Sequence, residues 1–277
     1  MNELQKKEVD ILKEFLNVCD ILNLTYYLVC GSALGAVKYG GFIPWDDDID
    51  VALPRKDYEL FLEKGQELLP NWCFVQNWRT DPQFHLLGTK LRDSRTTYVE
   101  AMTENLNIHH GIFIDVFPLD AYLEGKKAQK KFKKMQVCYE AQRRVRLKYH
   151  RFMSREIFKV RHNLYYFAFI LFGAFKNTAE CTRQYEQYIS SKDLDIAEIW
   201  CNHANSISPL EYAPKSQYGS GVIMKFEGLD VRVPEKYDEY LTQKYGDWRA
   251  DLPKEQQVGH HYYSIMDLDK PYTEYFK

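Results

Sequence analysis

Apolar residues at Leu4, Ile11, Leu12, Phe15, Leu16, Val18, Ile21 and Leu22 share one face at helical spacing and predict a helix over residues 3–23, ended by Asn23. Tyr26–Cys30 (YYLVC) reads as a short strand, broken at Gly31-Ser32. A small-residue helix, ALGAVKYG, follows and stops at Gly40-Gly41. After Pro44, Ile49, Val51 and Leu53 alternate with Asp48, Asp50 and Ala52. That period predicts a strand with two carboxylates on one face. Lys56–Leu69 is helical and ends at Pro70; residues 72–77 and 84–92 read as strands. Ile112–Phe117 (IFIDVF) is a further strand, halted by Pro118. From Lys126 to about Ser191 the pattern is helical throughout. Gly221–Phe226 and Leu229–Val233 form a hairpin around Glu227-Gly228, and Pro234 opens a helix to about Tyr245.

These elements predict an α/β (α+β) protein: a mixed-sheet core over residues 1–122, a helical and basic insertion or second lobe over 123–200, and a mixed segment over 201–277 that closes the site. With 277 residues, 45% of them apolar and 27% charged, the chain has the makings of an ordered core. The net charge of −2 hides a segregation. Lys126 to Arg161 holds fourteen Lys or Arg against Glu140 and Glu156, a local +12 that leaves −14 for the rest. Either this segment meets an anionic partner or it is a solvated helix surface. No nucleic-acid-binding motif accompanies it, so no nucleic-acid partner is expected.

The six cysteines lack any CxxC pair and offer neither a zinc site nor a small disulfide framework. The first residues, MNELQKKEVDILKEF, read as a charged amphipathic helix rather than a signal peptide. The longest apolar run, Leu164–Phe175, is twelve residues, short of the ~20 a membrane span requires. It reads as a buried core helix, or as a surface that docks with the basic segment on an anionic leaflet. A cytoplasmic protein, peripheral on the inner face of the plasma membrane in the second case, is the expectation.

The sharpest chemical feature is Asp46-Asp47-Asp48-Ile49-Asp50, set between Ile43-Pro44-Trp45 and Val51-Ala52-Leu53. Carboxylates in apolar surroundings are partly buried, and buried like charges require a counter-charge, which a divalent cation supplies. Asp48 and Asp50, two apart on a strand, can share one hard ion. Asp115, the single acid in IFIDVF, is the candidate third ligand. Mg²⁺, one ion or two, suits a pair of carboxylates completed by substrate phosphates, with Mn²⁺ as the alternative metal. Gly31 and Ser32, ahead of a helix start, offer close backbone approach and free N–H groups to a phosphate. Lys90 and Arg92, two apart on a strand, point the same way and are candidates for an anionic substrate. His110 is a candidate substrate contact, and Asp46 a residue that orients the loop or a ligand.

Cys30–Phe61, CGSALGAVKYGGFIPWDDDIDVALPRKDYELF, resembles the signature of the LicD family. The resemblance continues through Thr89–Arg92, Thr96-Thr97 and His110–Asp120, and returns at Val233-Pro234 and from Tyr245–Trp248 to the His260-His261 pair. It implies a nucleotidyltransferase-like fold, with residues 1–122 as the catalytic core. It also implies transfer of a phospho-alcohol from a CDP-alcohol, phosphocholine from CDP-choline first, to a sugar hydroxyl. The implied acceptor is a surface glycan, teichoic acid precursor or lipopolysaccharide, lipid-linked in some cases. Phosphoribitol and phosphoglycerol are the alternative cargoes. Residues 123–200 lie outside the resemblance and are where acceptor choice is expected. Two rivals stay open: a nucleotidyltransferase using a nucleoside triphosphate, and a non-catalytic glycan- or membrane-binding protein.

Overall fold

A computed structural model of the chain describes residues 1–146, 178–204, 212–259 and 261–276. Helix α1 (Glu3–Leu22) starts from a capping box in which Asn2 and Gln5 exchange side-chain to backbone bonds, and ends on Asn23 in the left-handed region at φ 52°. Its apolar stripe buries Ile11, Leu12, Phe15 and Val18. Each such burial contributes about 1.5–3 kcal/mol. Strand β1 is only Tyr27–Leu28, because Cys30, itself at φ 53°, already opens α2 (Cys30–Tyr39). Gly31 and Ser32 therefore lie within the first helical turn rather than in a loop before it. Gly40, at φ 64°, closes α2.

Strand β2 is Asp50–Pro54 and leads directly into α3 (Arg55–Leu68). Asp48 thus precedes the strand instead of lying within it. Strands β3 (Cys73–Gln76) and β4 (Thr89–Asp93) follow; β4 starts five residues later than the apolar pattern suggests, the stretch from Phe84 to Gly88 lying outside any strand. Strand β5 is Thr97–Glu100 and β6 is Ile112–Ala121. Helices α4 (Lys126–Arg146) and α5 (Thr178–Ile189) come next, then β7 (Ile199–Cys201), β8 (Tyr212–Pro214) and α6 (Lys215–Tyr218). The hairpin β9 (Val222–Phe226) and β10 (Leu229–Val233) turns at Glu227 and Gly228, both at positive φ. Helix α7 (Tyr237–Tyr245) begins three residues after Pro234, and β11 (Tyr263–Asp267) is the last strand.

The main sheet runs β1-β2-β6-β4-β3, with β7 and β8 added at the far end of β6. Only β2 and β6 are parallel; the other pairs are antiparallel. Every residue of β6 is buried, and the strand continues through Pro118 instead of stopping there. The physical reason lies in the neighbours. Asp115 N–H points to Ile49 on the β2 side, so the nitrogen of Pro118, three positions on, faces the opposite side. There the β4 ladder has ended at Val116 and the β7 ladder begins only at Asp120. No donor is missed.

A second, smaller core of Leu87, Leu123, Phe132, Tyr139, Tyr185 and Ile189 holds α4 against α5. It is tied to the main sheet by ion pairs: Arg55 clasps Asp120 at 2.6 and 2.8 Å and reaches Glu186, which also receives Arg79 and the Trp78 indole. Between α4 and α5 runs a groove of about 1120 Å³ with Lys126, Lys127, Lys131, Lys134 and Lys192 on its walls. Among the described residues no helix is long and apolar enough to cross a membrane. The Leu164–Phe175 run and the basic residues beyond Arg146 lie outside the described residues, as does His260.

Candidate active site

The parallel register of β2 and β6 sets Asp50 directly opposite Asp115. Asp48 reaches the same place from the loop just ahead of β2. Carboxylate oxygens of all three lie within 4.8 Å of one another. Donors about 2.1 Å from a central Mg²⁺ have to stand roughly 3–4 Å apart, so small side-chain adjustments suffice to close this set on one hard cation. The backbone locks the arrangement: Ser32 Oγ accepts the Asp50 N–H at 2.8 Å, and Val29 N–H donates to the Asp50 carbonyl at 3.1 Å. Ser32 is buried and its hydroxyl oxygen is engaged in holding Asp50.

Gly31 has a specific reason to be glycine. A Cβ placed there would stand 2.7 Å from Asp46 Oδ2, so the Asp46 carboxylate lies against the first turn of α2. The Gln5 side-chain amide donates to the Asp46 carbonyl at 2.9 Å and fixes the loop from α1. Asp47 is tied to the other end of the chain: His261 N–H donates to its Oδ2 at 3.0 Å, and its Oδ1 is 3.1 Å from His261 Nδ1. The same ring nitrogen is 3.9 Å from Asp48 Oδ2. Asp47, Asp48 and His261 thereby form a second group with metal-ligand spacing. The pairing of β11 with β5 holds this closing segment in place.

Lys90, opposite Asp115 in the β4–β6 register, sends its ammonium to within 3.3 Å of Asp115 Oδ2 and 3.4 Å of Glu100 Oε1. The ammonium also stands 3.2 Å from the centre of the Phe113 ring. Arg92 shares the face of Lys90, as alternation requires, but it is fully buried and turned inward. Its donors go to Gln76 Oε1, the Gly111 carbonyl and Glu100 Oε2 at 2.6, 2.7 and 3.0 Å. The structure brings Lys90 to the carboxylates and makes Arg92 an internal counter-ion. His110 is likewise internal: Nε2 meets the Leu106 carbonyl, its ring stacks on Phe276, and burial brings its pKa down to about 4.

Electrostatics mark the centre as short of positive charge. Burial, then the charges of Asp48 and Asp47, push Asp46 up to about 7. Asp48 is raised by burial and by Asp115, against the pull of His261, and Asp50 stands well above the usual range through burial and the charges of Asp48 and Asp115. His261 is raised despite burial, by its bond to Asp47 and the charge of Asp48. Glu100 shows the converse: although burial opposes it, Lys90 and Arg92 hold it far below its ordinary range. Acids whose folded pKa is raised contribute stability that is complete below their unfolded pKa, near 3.8, and is lost as pH rises through the folded value, about 7 for Asp46. Glu100, held low, and the buried histidines His85, His109 and His110, brought down to about 3, 3 and 4, act the other way and lose stability as pH falls, so the acids are read by removing one of them. Asp46→Asn is therefore expected to raise the metal-free melting temperature relative to wild type by about 5 °C more at pH 8 than at pH 5. Millimolar Mg²⁺ or Mn²⁺ should likewise raise the wild-type melting temperature more at pH 8 than at pH 5, as read by calorimetric melting; an equal effect of Asp46→Asn at both pH values would contradict this electrostatic reading.

Asp47 and His261 are residues that the sequence pattern does not single out. Asp47 lies between two candidate acids but alternates to the other side. The His260-His261 pair carries only the resemblance, and nothing local in the chain links it to the acidic loop.

Comparison with known proteins agrees with the geometry. Residues 23–121, from just before β1 to the end of β6, match the family described as LicD/FKTN/FKRP, nucleotidyltransferase domain. Over 268 residues, 94% of this chain and 96% of the relative, the sequence is 27% identical to the lipopolysaccharide cholinephosphotransferase LicD of Haemophilus influenzae. Shorter matches link it to uncharacterized proteins of Rickettsia typhi, 28% identical over 94 residues (33% of this chain, 25% of the relative), and of Rickettsia prowazekii, 40% over 50 residues (18% and 17%). All three carboxylates, their Lys90 neighbour and the α2 start fall inside the segment, residues 23–121, that matches the LicD/FKTN/FKRP nucleotidyltransferase domain.

Proposed function

We propose that this chain is a cation-dependent phosphotransferase that moves a phospho-alcohol from a CDP-alcohol to a sugar hydroxyl of a cell-surface glycan. Phosphocholine from CDP-choline is the first candidate, because the relative that matches nearly the whole chain is named a lipopolysaccharide cholinephosphotransferase. The observation that carries the reading is the trio Asp48, Asp50 and Asp115, converging within 4.8 Å beside the start of a helix. These three would hold Mg²⁺ or Mn²⁺, and the partly buried, mutually repelling carboxylates fit such an ion. When bound, the ion offsets charge on the diphosphate.

The chain's own groups do the rest. The backbone at Gly31 and Ser32 presents N–H groups at a helix N-terminus, suited to a phosphate oxygen. Lys90 adds an ammonium beside Asp115 and biases the centre toward an anionic substrate. Ser32, Gln5 and His261 hold Asp50, Asp46 and Asp47 in place before substrate arrives. Phosphoryl transfer requires positioning and charge stabilisation rather than a covalent nucleophile. The lysine-lined groove between α4 and α5 supports an anionic acceptor, and with it a cytoplasmic enzyme working at the inner face of the plasma membrane.

The test is nucleotide release. Chain, Mg²⁺ and a glycan acceptor extract are incubated with CDP-choline, CDP-ribitol or CDP-glycerol, and the products are separated chromatographically. Release of CMP from CDP-choline, abolished by chelation, is the expected result. CMP from another CDP-alcohol alone keeps the mechanism and changes the cargo. Pyrophosphate from CTP or ATP, with no CMP from any CDP-alcohol, transfers the assignment to a nucleotidyltransferase.

A further inference from the structure

Helix α1 places Glu8 in its apolar stripe, one turn before Leu12 and on the face that also buries Ile11 and Phe15. A carboxylate in that phase is costly to bury unless something answers it. Glu8 is 2% exposed, and its Oε2 has no hydrogen-bond partner among the described residues. A pure packing role is filled better by leucine or glutamine. The acidic loop lies against the same stretch of α1. Gln5, three residues earlier on the same helix face, already docks α1 on the acidic loop through the Asp46 carbonyl. Burial raises the Glu8 pKa well above its ordinary range, and the neighbouring charges that add to it are those of Asp48, Asp47, Asp46 and Asp115. Glu8 stands outside the trio that converges within 4.8 Å, so it is a neighbour of that trio and not a fourth member.

We propose that Glu8 is a positioning carboxylate of the cation centre, strengthening the hold of Asp48, Asp50 and Asp115 on a divalent ion. It does so by offering its open oxygen to the hydration shell that such an ion retains and by supplying negative charge once the ion is bound. The inference rests on the cation-dependent reading above. It explains why an acid occupies a helix face that packing alone would give to an apolar residue. It also fits the position of Glu8 one turn after Gln5, which bonds the Asp46 carbonyl.

Titration calorimetry with Mn²⁺ on the full, nucleotide-free chain tests it, alongside melting of the metal-free protein. Wild type is expected to bind, and Asp48→Asn to lose binding. Removing one nearby charge in Glu8→Gln should weaken Mn²⁺ by about tenfold, whereas Glu8→Asp, which keeps the charge, should stay within about threefold. Metal-free Glu8→Gln should melt no lower than wild type. Glu8→Met, apolar and of similar length, is the second variant and must show the same weakening. Mn²⁺ affinity within about twofold of wild type in either neutral variant overturns the role of Glu8 and leaves the cation site standing. Absence of Mn²⁺ binding by wild type overturns the cation-dependent reading itself.

Discussion

Asp115→Asn is expected to lower nucleotide release by about 10³-fold at saturating Mg²⁺, the scale on which loss of a preorganised electrostatic group acts. The substitution is close to isosteric. Its amide oxygen can still accept from Lys90, which stands 3.3 Å from the native carboxylate, so the strand and its neighbours keep their places. What disappears is one negative charge, at the register position facing Asp50. On the proposed reading, an ion that the three carboxylates would hold is left with two, and a substrate diphosphate would meet a less neutralised centre. The same change relieves repulsion in the metal-free protein, where burial and the Asp48 and Asp115 charges already push Asp50 well up. The variant should therefore melt at least as high as wild type without metal while losing turnover. Activity within tenfold of wild type would remove Asp115 from the centre.

Arg92→Met carries the largest expected cost to stability, about 3–5 kcal/mol, the range for breaking a buried ion pair by removing one partner. Arg92 is completely buried and bonds Gln76, the Gly111 carbonyl and Glu100 while lying 4.7 Å from the centre of the Phe113 ring. Methionine fills part of the volume and supplies none of the donors. Glu100 is left with Lys90 as its remaining buried cation, the Gly111 carbonyl loses a bond, and Gln76 loses the partner of its amide oxygen. Urea unfolding followed by tryptophan fluorescence measures the loss. A change under about 1 kcal/mol would mean that the network is slack, and would return Arg92 to consideration as a substrate ligand.

Much of the centre is legible in the chain itself. The alternation around Asp48 and Asp50 and the lone acid of IFIDVF identify three carboxylates that do converge. Their partnership is not legible in the same way. Nothing local says that β2 runs parallel to β6, because that register is made by pairing between distant segments. Pro118 illustrates the limit: proline stops a strand only where a donor is demanded, and the gap between two flanking ladders removes the demand. Arg92 shows another. Strand alternation assigns a side chain to a face but not to a depth, so Lys90 and Arg92 look equivalent until Gln76, Gly111 and Glu100 close over one of them. Glu8 is visible as an acid inside an apolar stripe, a conflict that counting apolar positions passes over. The strands β7 and β8, three residues each, lack enough residues for a period to emerge.

The parallel pairing of β2 with β6 also orders events in time. Asp50 and Asp115 meet only after about 65 residues of intervening chain are drawn closed, an entropic step that precedes any reward from the contact. The β3–β4 and β9–β10 ladders require shorter closures, so they are the earlier structures to form. The carboxylates come together late, against their own repulsion and into a frame already built. A partly folded chain accordingly presents scattered acids rather than a coordination shell. On the proposed reading, the free energy of an ion would then be added to the native state alone, and cation supply would act as a brake on unfolding as well as a condition for chemistry.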